Sequence, residues 1–224
     1  MAKQTFEKFT TPKGSAIYPY LDKPDMKFAK DGYGDFKVDL KCDLNDPKAQ
    51  AIMAAIRKAH DAQVKASEPE FKKNPKNKGK TMKVNDYPYV VDDEAGTVTF
   101  KFKQKEGGIA KTTQKPWKAV INKFDAKGVE MPVDTRIGGG SVLKVSAEIF
   151  PYYAPIGTGV SLRVKAVQVL TLREFGGGDA GSFGFAAEEG YDAQGASGEH
   201  GFSDEEQASQ DETAVDEDSS GSDF

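Results

Sequence analysis

A mainly β fold, a small antiparallel barrel or sandwich carrying one long helix, is what this sequence predicts. Three observations predict it. Several runs of about 7 to 12 residues alternate apolar and polar side chains between turn-forming residues. A single Ala-rich stretch has helical spacing, and two alternating runs near residues 142–172 lie close enough in sequence to form one long hairpin.

Residues 1–34 are rich in Lys, aromatics, Pro and Gly, with a short β-like piece at Ala16-Ile17-Tyr18-Pro19-Tyr20-Leu21. They read as an arm lying over a domain that spans 35–175. Phe36-Lys37-Val38-Asp39-Leu40-Lys41-Cys42 alternates cleanly and predicts a strand. Asn45 or Asp46 then caps a helix with Pro47 in its first turn. Ile52, Ile56, Ala59, Gln63 and Val64 recur at helical spacing, and Pro69 is expected to stop the helix.

Residues 69–86 read as a loop made basic by Lys72, Lys73, Lys76, Lys78, Lys80 and Lys83. It is either a solvated connection or a phosphate contact. In Thr97 to Lys103, Val98, Phe100 and Phe102 share one face of a strand, and Thr99, Lys101 and Lys103 share the other. The phenylalanines therefore read as core, with base-stacking platforms as the alternative, and Lys101 and Lys103 are the better candidates for contact with DNA. Trp117 to Phe124 predicts another strand, ended by the turn Asp125-Ala126-Lys127-Gly128.

Gly138-Gly139-Gly140-Ser141 lacks the Gly-Lys-Ser/Thr ending of a phosphate-binding loop and reads as a tight strand-entry turn. Val142 to Phe150 and Val160 to Leu172 form the hairpin, with Pro151 to Gly159 as its loop and Tyr152 and Tyr153 at its tip. Lys144, Arg163, Lys165 and Arg173 place cations on it.

The 224 residues carry a formal net charge of −4, which conceals a sharp division. All 31 Lys and Arg precede residue 174, together with 20 of the 35 Asp and Glu, for a net charge of +11. Residues 174–224 hold the other 15 acids and no Lys or Arg. From residue 176 the chain is mostly Gly, Ser, Ala and acids, with aromatics only at Phe183, Phe185, Tyr191, Phe202 and Phe224, a composition that buries too little apolar surface to offset chain entropy and so predicts a disordered tail. Asp216-Glu217-Asp218 and Asp223-Phe224 look like a docking peptide steered by charge and anchored by a ring; the plainer reading is a solubility tail.

Enzymatic readings find no support. His60 and His200 are the only histidines, and neither a Cys/His metal set nor a Ser/His/Asp set can be assembled, so no catalytic residue, metal or cofactor is expected. Cys42 alone excludes an internal disulfide and fits a reducing compartment. With no apolar signal region and no run of about 18 apolar residues, the protein is expected to stay in the cytoplasm where it is made, away from membranes.

A basic body with several strands and exposed rings suits a nucleic acid. Cations supply sequence-independent phosphate affinity, and rings select single strands, whose unstacked bases offer a free face. Trp117, Tyr152 and Tyr153 are the candidate rings, with core or hairpin packing an equal alternative for each. The oligonucleotide-binding barrel is the β architecture that presents such a groove. The acidic tail would compete with DNA for it and be released on binding. Two other readings stay open: a basic-bodied interaction protein without strand preference, and an RNA chaperone.

The chain also resembles the replicative single-stranded DNA-binding proteins of short-tailed lytic phages. The resemblance runs through Met1-Ala2-Lys3, Phe36 to Leu40, Thr99 to Lys103, Ile137 to Ser141, Leu143-Lys144-Val145, Pro151-Tyr152, Phe175 to Gly178 and the acidic end at Asp223-Phe224. It implies an oligonucleotide-binding barrel, a homodimer, sequence-independent coating of single strands, and strand annealing in phage DNA replication, recombination and repair. It implies docking of the tail on the phage DNA polymerase and helicase-primase, inside the host cell. The position matching Lys3 is tied to annealing, that of Tyr152 to DNA contact and that of Phe224 to partner contact. Where the family pattern has Trp two positions after the tyrosine, this chain has Ala154, leaving Tyr153 or Trp117 to stack, or a weaker site.

Overall fold

The computed structural model describes residues 6–29, 31–110 and 113–173. Ten strands and one long helix follow one another: β1 (Lys8–Thr10), β2 (Gly14–Asp25), β3 (Asp35–Asp43), α1 (Pro47–Lys73), β4 (Tyr89–Asp92), β5 (Thr97–Lys105), β6 (Gly107–Ile109), β7 (Pro116–Lys118), β8 (Asn122–Phe124), β9 (Val142–Ala154) and β10 (Gly157–Thr171). A short 3-10 turn, Pro75–Asn77, follows the helix.

The main sheet runs β1-β9-β2-β3-β5-β10-β8, and β9 also pairs with β10. Pairing therefore returns to its start through β9-β2-β3-β5-β10, a five-stranded closed ring with the strand order of an oligonucleotide-binding barrel. The ring is antiparallel except where β5 meets β10, at Leu162↔Phe102. Residues 8–25, read from sequence as part of an arm, are strands of this ring and its edge: β2 pairs with both β3 and β9, and β1 extends along β9.

Alternation fills the interior. Val38, Leu40, Val98, Phe100, Phe102, Leu143, Val145, Leu162 and Val164 are at most 1% exposed. Each side chain of this size contributes about 1.5–3 kcal/mol by leaving water. A β-bulge between Val164 and Ala166 shifts the phase of β10, so Val167 and Val169 continue the inner face that Val160, Leu162 and Val164 began. The helix packs Ala49, Ile52, Met53 and Ile56 into the same core.

At the start of the helix Asp46 accepts hydrogen bonds from the backbone N–H groups of Lys48 and Ala49. The helix does not stop at Pro69 but continues to Lys73. Pro69 is exposed and costs one intrahelical bond, while buried Ser67 on the previous turn bonds Thr158 Oγ1 at 2.8 Å and holds the helix against the start of β10. The expected 69–86 loop accordingly begins only at Asn74. Its far end is an edge strand in miniature: the Thr158 N–H donates to the Lys83 carbonyl and the Asn85 N–H to the Thr158 carbonyl, both at 2.9 Å.

Two further expectations are corrected. The strand expected over 117–124 is broken, with Trp117 in the separate β6–β7 ribbon and Lys123 in β8. The hairpin loop is shorter than expected. Tyr152 and Tyr153 pair with Gly159 and Thr158 as strand residues, and only Pro155-Ile156 turn the chain. The entry turn at 138–141 is present: the Ser141 N–H donates to the Gly138 carbonyl, and Gly140 has φ +82°, where a Cβ would be strained.

Candidate nucleic-acid interface

Strand register assembles the outer face of the barrel. On β3 and β5 the inward residues alternate with outward ones, and Lys37 lies opposite Lys103 while Asp39 lies opposite Lys101. Tyr20 on β2 pairs with Lys37. Across the parallel seam, Lys103 and Arg163 each follow the Leu162↔Phe102 pair, and Arg163 faces Glu148 on β9. A row Tyr20, Lys37, Lys103, Arg163 and Glu148 thus crosses five strands, with adjacent members about 5 Å apart by strand spacing.

Like charges that close repel unless screened, and carboxylates screen them here. Lys37 bonds Asp25, Lys103 bridges Asp35 at 3.0 Å, and Lys105 bridges Asp31 at 2.6 Å. Lys165 and Lys8 reach Glu148 at 3.2 and 3.9 Å. The hydrogen bond from Lys37 holds the Asp25 carboxyl below its usual range, and the bond from Lys105 does the same for Asp31. Arg163 stands over the Phe150 ring at 3.1 Å, and Phe6 packs against that ring at 4.9 Å. Burial lowers the Arg163 pKa, opposed by Glu148, but a guanidinium stays a cation in either case.

Aromatic surface stands at one end of the row. Tyr18 is 77% exposed and Tyr20 41%, with Lys37 Nζ 4.7 Å from the Tyr20 ring. Strict alternation from buried Ala16 would turn both tyrosines inward. Between the pairs Ile17↔Asp39 and Tyr20↔Lys37, however, β2 carries one residue more than β3. This bulge leaves Tyr18 with φ +45°, buries Pro19 and Leu21, and turns both rings out. Sequence reasoning missed Tyr18, Tyr20 and Lys37; two tyrosines in a short β-like piece were the only signal.

The sequence-predicted residues distribute unevenly around this row. Lys103 and Arg163 lie in it, Lys101 lies two residues away on β5 opposite Asp39, and Lys165 adjoins it through Glu148. Lys144 pairs with Gln168 on the same hairpin but away from the row. Trp117 is 39% exposed and covers Gly108 in the β6–β7 ribbon. That ribbon is tied to the β2–β3 connection, where the Gly34 N–H donates to Glu106 Oε2 and the Tyr33 ring abuts Gly107.

Tyr152 and Tyr153 lie elsewhere, at the turn end of the hairpin. The Tyr152 hydroxyl accepts from Asn85 Nδ2 at 2.9 Å, and the Asn85 carbonyl meets His60 Nε2 at 2.8 Å, so Tyr152 is a tethered ring rather than a free tip. Tyr153 lines a groove of about 520 Å³ with Phe71, Lys76, Lys80, Met82 and Lys83. The basic connection therefore faces the hairpin, and a second cationic and apolar surface is formed there. Lys3, Asp216, Glu217, Asp218, Asp223 and Phe224, and the tail 176–224 as a whole, lie outside the described residues.

Among the described residues no cluster of His, Cys, Asp and Glu could hold a metal ion, and no helix is long and apolar enough to cross a membrane. The arrangement offers fixed cations, exposed rings and hydrogen-bonding carboxylates on an oligonucleotide-binding barrel.

Comparison with known proteins agrees with this architecture. Residues 13–172 match the family model described as the single-stranded DNA-binding protein of bacteriophage T7. The single-stranded DNA-binding protein of Enterobacteria phage T3 is 34% identical over 194 residues, covering 81% of this chain and 83% of its own. That of Escherichia phage T7 is 32% identical over 236 residues and covers both chains completely. The crystal structure of the single-stranded DNA-binding protein encoded by bacteriophage T7 superposes with a TM-score of 0.66 at 33% identity, covering 84% of this chain and all of that one.

Proposed function

Since this chain belongs to the family of the bacteriophage T7 single-stranded DNA-binding protein, we propose that its barrel binds single-stranded DNA and that its activity is binding, not catalysis. The observation that carries the reading is the row Lys37, Lys103 and Arg163 with Tyr18 and Tyr20 at its end, on the barrel face formed by β2, β3, β5 and β10. Phosphates follow the cations, and bases stack on the rings. Because none of these contacts requires a particular base edge, coating is largely independent of sequence.

Lys101, Lys165 and Trp117 flank the row and extend the same path. Tyr153 and the Lys76–Lys83 connection form a second stretch of it, with Tyr152 positioning that end through Asn85. Lys144 contributes background charge. Lys3 adds a cation used in annealing complementary strands. The acidic residues 174–224, with Asp216, Glu217, Asp218, Asp223 and Phe224, compete for the cationic face when DNA is absent and recruit the phage DNA polymerase and helicase-primase when it is bound. The charge division of the sequence supports this reading. A homodimer in the infected host cell completes the proposal, on family resemblance.

The test is a salt titration of binding to single-stranded and double-stranded DNA, with the full chain and with a chain stopped at Gly198. The expected result is a single-strand preference with a steep salt slope, tightened by truncation. Equal affinity for both forms, indifferent to the tail, would replace the proposal with that of a general interaction protein.

A further inference from the structure

Beside the cationic row lies a cleft of about 320 Å³ lined by Tyr18, Tyr20, Asp25, Lys27, Lys37 and Asp39. Its two carboxylates differ. Asp25 bonds Lys37 and accepts from the Lys27 backbone N–H, so its acceptor capacity is engaged. The Asp39 carboxylate makes no hydrogen bond and no ion pair among the described residues, although Lys101 lies opposite it and Lys37 two positions before it. It is half-buried between the strands, and burial raises its pKa against the pull of those two lysines. An acceptor-only group that is partly desolvated and lacks a hydrogen-bond donor is costly unless a donor arrives.

Screening between lysines is served by a carboxylate bonded to one, as Asp25 is to Lys37, whereas Asp39 keeps its acceptor oxygens free in a cleft shared with two exposed rings. The donors that a single strand brings to such a place are the N–H groups of its bases. When a base stacks on Tyr18 or Tyr20, its hydrogen-bonding edge can point into the cleft while Lys27 and Lys37 hold the phosphates to either side. Guanine offers adjacent N1–H and N2–H groups, two donors matched to the two oxygens of one carboxylate. Cytosine and adenine offer one amine beside an acceptor. Thymine offers one N–H flanked by two carbonyl oxygens, which a carboxylate repels.

We propose that the cleft between β2 and β3 is a base-reading subsite in which Asp39 accepts hydrogen bonds from the Watson–Crick edge of a base stacked on Tyr18 or Tyr20, favouring guanine and disfavouring thymine. This inference rests on the single-strand-binding reading and adds to it one position with a base preference inside an otherwise indifferent path.

The test compares full-length protein and two variants, Asp39→Ala and Asp39→Asn, on short oligonucleotides of alternating dG and dT and on oligo-dT of equal length, in lithium buffer to suppress guanine assembly. Asp39 points away from the core, and a circular-dichroism melt checks that each variant is folded. Wild type is expected to favour the dG-containing strand relative to Asp39→Ala by on the order of tenfold, the value of a paired charge-assisted contact. Asp39→Asn keeps one carbonyl acceptor without the charge and is expected to fall between them. If both variants tighten both strands equally, Asp39 is only a negative charge near phosphates and the subsite is overturned. If wild type binds neither strand, the single-strand-binding reading itself fails, which is a separate outcome.

Discussion

Replacing Lys37 and Lys103 together by Gln removes two neighbouring cations from the row while keeping polar side chains of similar length. Lys37 is paired with Asp25 and Lys103 with Asp35, their side chains 39% and 65% exposed. Exposed pairs of this kind are screened by solvent and contribute little to stability, so the thermal midpoint is expected to move by only a few degrees. Binding is expected to respond far more. On a single strand each phosphate contact contributes about 0.7 to the slope of log K against log salt, so losing two contacts lowers the slope by about 1.4. Extrapolated from a 1 M reference, that difference is about 25-fold in affinity at 0.1 M salt. Freed Asp25 and Asp35 add repulsion in the same direction. Fluorescence anisotropy of a labelled oligonucleotide, titrated at several salt concentrations, reads the slope directly. An unchanged slope in a folded double variant would show that phosphates do not follow the β3–β5 face, and the groove beside Tyr153 would replace it.

Three other outcomes are expected. Tyr20→Ala should weaken single-strand binding by about 1–3 kcal/mol, the contribution of one stacked base, and leave duplex binding nearly unchanged; equal losses on both would make the ring structural. Cys42 is buried and its thiol is pushed up to about 12, chiefly by burial, so it should react with a thiol reagent only as the chain unfolds, and fast labelling of the native protein would contradict the packed core. Lys123 is 1% exposed and donates from Nζ to the carbonyls of Val133 and Thr135, and burial lowers its pKa below the usual 10.5. A lowered folded-state value means that the cost of the buried charge is complete below it and is relieved as pH rises towards 10.5. The stability of wild type relative to Lys123→Met should therefore rise with pH across that alkaline window; a flat difference in urea midpoints would refute it.

Much of this protein is local and so was legible in its sequence. Period-two alternation marked β3, β5 and the two long strands of the hairpin, because a strand with one buried face must repeat every second residue. Asp46 followed by Pro47 marked the helix start, since the first N–H groups of any helix need an acceptor from outside it. The outward direction of Lys101 and Lys103 came from the same alternation that buried Phe100 and Phe102. The separation of 31 cations from an acidic tail needed no structure at all.

Tertiary structure alone decided which outward cations meet. Lys37, Lys103 and Arg163 are distant in sequence and become neighbours only through the registers of β3 with β5 and of β5 with β10. It also decided phase: the bulges in β2 and β10 exchange faces partway along each strand, exposing Tyr18 and Tyr20 and burying Val167 and Val169. It carried α1 past Pro69 through a contact between Ser67 and Thr158, residues remote from each other in the chain. The physical reason is common to all three. A residue's period is set by its own backbone, but the partner it faces and the phase at which it faces it are set by pairing with strands elsewhere, and those pairings are chosen by the closure of the barrel as a whole.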